Sequence, residues 1–210
     1  MKRHPLIALA FVASLSVARA RPLVAQAITA KPASIGVMGG ATFPWGSDFT
    51  DIAKRGWNAG VLISLGSPAF PLSFRLDVQW HQLAGKTRSS PDVGSQRTDL
   101  RIIDGTADFE YLLGRRSASN LYLIGGVGLY NLRGRNFTTP GNVFGGTDSS
   151  YTRSATKFGW NAGIGVRTRL TGYTVFIESR YHAVSHGHDV DGTGSSKTIH
   201  FIPIDIGITL

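Results

Sequence analysis

Between Phe70 and His81 the chain alternates without interruption. Leu72, Phe74, Leu76, Val78 and Trp80 are apolar, while Ser73, Arg75, Asp77, Gln79 and His81 between them are polar or charged. A period of two sends the two sets to opposite faces of a β-strand. A strand of ten or more residues is long enough to cross a bilayer at a tilt of about 45°. The same reading predicts eight strands, at 33–44, 55–66, 70–83, 98–113, 119–132, 155–170, 172–183 and 197–209. Connections alternate in length. Short turns fall at Gly66–Ala69, Gly114–Ala118 and Thr171–Gly172, and longer polar segments at 45–54, 84–97, 133–154 and 184–196. An even count of strands with short turns at one end and long loops at the other predicts an all-β fold: an eight-stranded antiparallel up-and-down transmembrane β-barrel.

The facing of the charged residues follows from the same alternation. Arg75, Asp77, Asp104, Asp108, Glu110, Arg167, Arg169, Glu178, Arg180 and His182 lie opposite their strands' apolar faces. Each would cost a few kcal/mol against lipid near the midplane, so all are expected inside. Leu72, Phe74, Leu76, Val78 and Trp80 are expected to face the membrane, with Trp57 and Trp160 near the outer interface. An eight-stranded barrel is only wide enough to be filled by side chains, so a paired charge network and a plugged interior are expected, not a wide pore.

Three strands fit less cleanly. Arg101 shares the parity of the outer face and Ile102 that of the acids, which calls for a bulge or for a strand rising above the membrane. Residues 121–130 are apolar on both faces, leaving two orientations open: Leu121, Leu123, Val127 and Leu129 outward with Tyr122 and Tyr130 inside, or the reverse. Pro203 removes one ladder donor from the last strand, which a bulge could absorb. The run Gly56-Trp-Asn-Ala-Gly60 recurs as Gly159-Trp-Asn-Ala-Gly163, suggesting repeated hairpins or convergent strand composition.

The N-terminus sets the expected compartment. Lys2, Arg3 and His4 precede an apolar run from Leu6 to Val17, with small-residue sites at Ala18-Arg19-Ala20 and Ala25-Gln26-Ala27. This predicts a secretory signal over residues 1–27, cut after Ala27 or alternatively after Ala20, and a barrel domain over 28–210. The whole chain carries a formal charge of +9. Removing the signal takes away four basic residues and no acid, leaving 18 basic against 13 acidic. That balance suits a surface facing anionic lipid or lipopolysaccharide, and export argues against a nucleic-acid partner. The chain has no Cys, which excludes a disulfide framework; no cofactor is expected.

Three segments carry a resemblance: Phe158–Arg167, Thr174–Tyr181 and Phe201–Leu210. They resemble the small OmpA/OmpX-like outer-membrane barrels, with Glu178, Arg180 and Tyr181 matching a Glu-x-Arg-Tyr pattern in the penultimate strand. The resemblance implies a location in the outer membrane of a Gram-negative bacterium, insertion by the barrel-assembly machinery, and roles from structural support to adhesion. Members usually end on an aromatic residue read by that machinery, whereas this chain ends on Leu210.

Two further features have chemical content. His182, Ser185, His186, His188, Asp189 and Asp191 crowd one strand end and its loop, offering residue types for a serine hydrolase or a metal site. Similarity to barrel lipid A deacylases is loose: their catalytic His and Ser lie two apart, and Val184 stands where that Ser would follow His182. The chain is therefore expected not to be an enzyme. Arg133, Arg135 and Arg153, with Phe137, Phe144 and Tyr151, flank the longest loop as a candidate surface contact for lipopolysaccharide phosphates or a host surface. Gly36–Gly40 and Gly125–Gly128 are strand glycines, since no helix follows either of them to hold a phosphate. A soluble lipocalin-like barrel, with Leu72 to Trp80 turned inward around an apolar ligand, is the competing architecture.

Overall fold

The computed structural model describes residues 33–66, 70–90, 94–114, 118–139, 149–186 and 197–210. The strands are β1 (Ala33–Trp45), β2 (Ala53–Gly66), β3 (Leu72–Gly85), β4 (Thr87–Ser90), β5 (Gly94–Leu113), β6 (Ser119–Thr139), β7 (Ser149–Arg169), β8 (Thr174–His186) and β9 (Lys197–Thr209). One helical turn, α1 (Ser47–Thr50), lies between β1 and β2. All neighbours pair antiparallel in the order β3-β2-β1-β9-β8-β7-β6-β5-β4, and β3 pairs with β5 to close the ring. β4 continues β3 past Lys86 against the start of β5, so the nine segments make eight staves. Closure pairs every stave on both sides around the ring, the condition for a sheet in lipid, and the one-sided pairing of β4 and of residues 149–158 falls in the extensions at the long-loop end. The signal read over residues 1–27 lies outside the described residues.

The alternation decides which face is which. Leu72, Leu76 and Val78 are exposed on the outside, while Arg75, Asp77, Gln79 and His81 are each no more than 2% exposed. The inverted, lipocalin-like arrangement is thereby excluded. Exterior positions of β5 are apolar or small from Ile103 to Leu113, a band about 26 Å high at about 3.4 Å per residue and a tilt near 40°. That matches the hydrocarbon thickness a small barrel must span. At the short-turn end Gly114 and Gly172 have φ of +88° and +91°, a conformation that a side chain would strain.

The ambiguous strands resolve. Tyr122 and Tyr130 point inward with nothing exposed, and Leu121, Leu123, Val127 and Leu129 face outward. No bulge occurs near residue 101: β5 runs in unbroken register with β3 from Leu83↔Leu100 and with β6 from Ser95↔Thr139. Ile102 instead joins an apolar layer inside the upper barrel, and Arg101 lies above the apolar band. Pro203 needs no bulge either. The β8–β9 ladder skips the residues between Ser179↔Ile204 and His182↔Phe201, then resumes in the same register.

The predicted long loops shrink. Residues 133–139 and 149–154 extend β6 and β7 as a hairpin beyond the apolar band, and 94–97 extend β5. Cross-strand hydrogen bonds satisfy this backbone outside the membrane as well as within it, so the sheet continues past the apolar band.

Candidate functional site

The lumen is filled in three layers. Toward the short turns, Met38, Leu62, Leu112, Tyr122, Ile124 and Phe176 pack together. Toward the long hairpins, Leu83, Leu100, Ile102, Tyr130, Leu132, Val184 and Phe201 form a second apolar cluster, which Phe49 of α1 covers from above. The expected charge network thus fills only part of the lumen, because the ionic side chains of the middle layer are flanked by two apolar clusters.

Arg75 organises that middle layer. Its Nε donates to Asp77 Oδ1 at 2.7 Å, and its Nη1 and Nη2 donate to the two oxygens of Glu178 at 2.8 Å each. β3 and β8 are four staves apart in both directions around the ring, so this forked pair crosses the full diameter. Arg180 lies 2.8 Å from Asp77, and 3.2 Å from both Asp108 and Glu178. Tyr122 Oη donates to Glu178 Oε2 at 2.6 Å, while Asn161 and Thr106 donate to Asp108 at 2.7 and 2.6 Å. A carboxylate in such a site needs several donors because its water has been removed.

Of the ten residues expected inside, Arg75, Asp77, Asp104, Asp108, Glu110, Glu178, Arg180 and His182 are buried. Arg167 is partly exposed and pairs with Glu110. Arg169 is the exception. It is exposed at the short-turn mouth, lining an open vestibule of about 630 Å³ with Arg167, Tyr173 and Leu210, because β7 has left the apolar band by that point.

Other lumen residues were legible only by parity. Gln79 donates to Asp205 at 3.0 Å. His81 bridges Thr42 and Asp104, 2.8 Å from each, and Asn58 donates to Thr42 at 3.1 Å. Gln79 and His81 continue the face of Arg75 and Asp77, and Asp205 shares its face with Pro203 and Gly207 and alternates with Ile204 and Ile206, so period two was the signal. The repeated pentapeptides behave alike: Asn58 and Asn161 are buried inside while Trp57 and Trp160 are exposed outside. A Cβ on Gly163 would stand 2.6 Å from Arg180 Cγ, so this glycine gives the guanidinium its room.

The exterior carries the expected aromatics. Trp57, Trp80 and Trp160 are exposed, whereas Phe74 is half-covered, its ring 5.6 Å from Phe109 in an edge arrangement. Trp160, Tyr181 and His200 form a further outer cluster, with Tyr181 Oη 2.6 Å from His200 Nδ1.

The residues read as one surface contact divide between two faces. Arg133, Arg135 and Phe137 share the outward parity of β6, while Tyr151 and Arg153 share the lumen-side parity of β7. Arg135 stacks over Phe137 and Arg153 over Tyr151. Phe144 lies outside the described residues. The histidine and serine cluster divides too. His182 is buried, its Nδ1 2.9 Å from Tyr130 Oη, whereas Ser185 is exposed on the other face. His188, Asp189 and Asp191 lie outside the described residues.

Among solved structures the chain is similar to Neisserial surface protein A, at 16% identity and a TM-score of 0.53, over 86% of this chain and 97% of that one. It is also similar to a major outer membrane protein from Thermus thermophilus, at 14% identity and a TM-score of 0.50, over 84% of this chain and 98% of that one. No family model and no curated protein matches the sequence. At these identities the shared property is the fold, that of a small outer-membrane β-barrel.

Proposed function

Starting from the fold of the small OmpA/OmpX-like outer-membrane barrels, we propose that this chain is an integral outer-membrane protein of a Gram-negative bacterium. Its role is structural or surface-directed, it has no wide pore, and it is exported by the segment 1–27. The observation that carries the proposal is the forked Arg75–Glu178 pair spanning the diameter between opposite staves. With Arg180, Asp77 and Asp108 beside it and apolar layers above and below, little cross-section is left for water. Opening a path would require separating charges already removed from water, at a cost of several kcal/mol.

Work done by such a barrel falls to its ends. The β6–β7 hairpin carries Arg135 on Phe137 on its outward face and Arg153 on Tyr151 on its other face, both beyond the apolar band, two basic and aromatic patches each suited to contact with an anionic partner. His182 and Ser185 occupy opposite faces of β8, so this pair does not offer the nucleophile–base contact a serine hydrolase needs. Planar-bilayer recording of the purified protein tests the proposal. The expected trace has no steady conductance above the bare membrane; large, stable channels would overturn it.

A further inference from the structure

Immediately above the apolar band, the outward face of β5 and β6 brings arginines together. Arg101 and Arg133 are direct cross-strand partners, one step beyond the pair Ile103↔Asn131, and Arg135 follows opposite Asp99. Directly opposed residues have Cβ atoms about 5 Å apart, where like charges destabilise a sheet. The acid on this stretch forms its ion pair with Arg97 instead. Asp99 Oδ1 accepts from Arg97 Nε at 2.8 Å and from the Gly85 amide at 3.1 Å.

The Arg101 guanidinium carbon lies over the Trp80 ring, 4.6 Å from its centre. This aromatic contact fixes the fork at the height where a bilayer places its phosphates. A pair of opposed guanidiniums, one of them pre-oriented, is an incomplete arrangement that a phosphate completes by accepting from both forks. The acyl chains of the same molecule would then run down the apolar exterior past Ile103 and Leu129, both on this face.

We infer that Arg101 and Arg133, with Arg135 beside them, form a site for the phosphate of an outer-leaflet lipid bearing a phosphomonoester. The inference rests on the membrane-barrel reading above and adds a specific lipid contact to it. Sequence parity alone marked Arg101 as a residue out of place on an apolar face; the site explains why it is there.

The test titrates the full barrel, refolded in zwitterionic micelles, with short-chain phosphatidic acid and counts bound lipid by native mass spectrometry. Phosphatidylcholine of the same chains and inorganic phosphate serve as comparisons. Phosphatidic acid should be retained over phosphatidylcholine, and R101Q and R133Q should each lower its affinity about tenfold, as expected for losing one charge-assisted contact. R169Q, at the opposite mouth, should bind as the parent does. Undiminished binding in R101Q and R133Q would overturn the inference, as would an equal loss in R169Q. Displacement of the lipid by an equal concentration of inorganic phosphate would also overturn it, since the site would then belong to a free anion. Heat-modifiable gel migration of each variant reports folding. An unfoldable parent defeats the barrel reading, whereas folded variants indifferent to the lipid defeat only this site.

Discussion

Replacing Glu178 by Gln keeps the side chain's shape and removes its charge, which isolates the electrostatic role of the lumen network. Glu178 accepts the fork of Arg75 and the hydroxyl of Tyr122, and it lies 3.2 Å from Arg180. In the variant an amide nitrogen must face a donor, and two guanidiniums with no more than 1% to 2% exposure lose their shared counter-charge. Removing one partner of a buried ion pair costs about 3–5 kcal/mol, and the low end is expected here because Asp77 and Asp108 still face the two guanidiniums. The comparison is Glu110→Gln, whose partner Arg167 retains 18% side-chain exposure and whose loss should cost only about 1 kcal/mol because water screens the remaining charge. Urea titration in phosphatidylcholine vesicles, followed by tryptophan emission, yields both values, with unchanged slope showing that the same surface unfolds. A loss below about 1 kcal/mol for E178Q, or equal losses for the two variants, would refute the claim that the diametric pair is desolvated and structurally required.

Three further outcomes follow from the geometry. Leu76→Arg, on the lipid face of β3 midway along its apolar run, should destabilise the barrel by about 2–4 kcal/mol in the same titration. Gly163→Val should cost about 1–3 kcal/mol, since its Cβ meets Arg180 Cγ at 2.6 Å and also the backbone oxygen of Ser179. Phe201→Ala, in the upper apolar layer, should cost about 3–5 kcal/mol and leave bilayer conductance at the bare-membrane level, because the ionic layer beneath it is intact.

Period two carried most of the fold. It assigned the faces of β3, β7 and β8 because charge and hydrophobicity alternate there residue by residue, as in Leu76, Asp77, Val78 and Gln79. It was silent on β6, where Leu121 to Tyr130 is apolar on both faces. The lumen side of that strand meets the lower and upper apolar layers, and only the three-dimensional stacking of layers distinguishes a core tyrosine from an interfacial one. The same stacking explains Ile102, which shares the parity of the acids but lies at the height of the upper apolar cluster. Arg169 was misplaced because alternation records which face a residue takes and not its height along the axis. The division of the histidine and serine cluster was open to inspection, since His182 and Ser185 differ by an odd number of positions on one strand.

All four tryptophans, Trp45, Trp57, Trp80 and Trp160, are exposed on the outside of the cylinder. Their emission in the unmodified protein therefore tests directly whether this outer surface meets lipid. Reconstituted in vesicles of bromine-labelled phosphatidylcholine, the barrel should lose most of its fluorescence and be nearly indifferent to aqueous iodide. Emission that survives the brominated chains and is quenched by iodide would place the tryptophans in water and contradict the account.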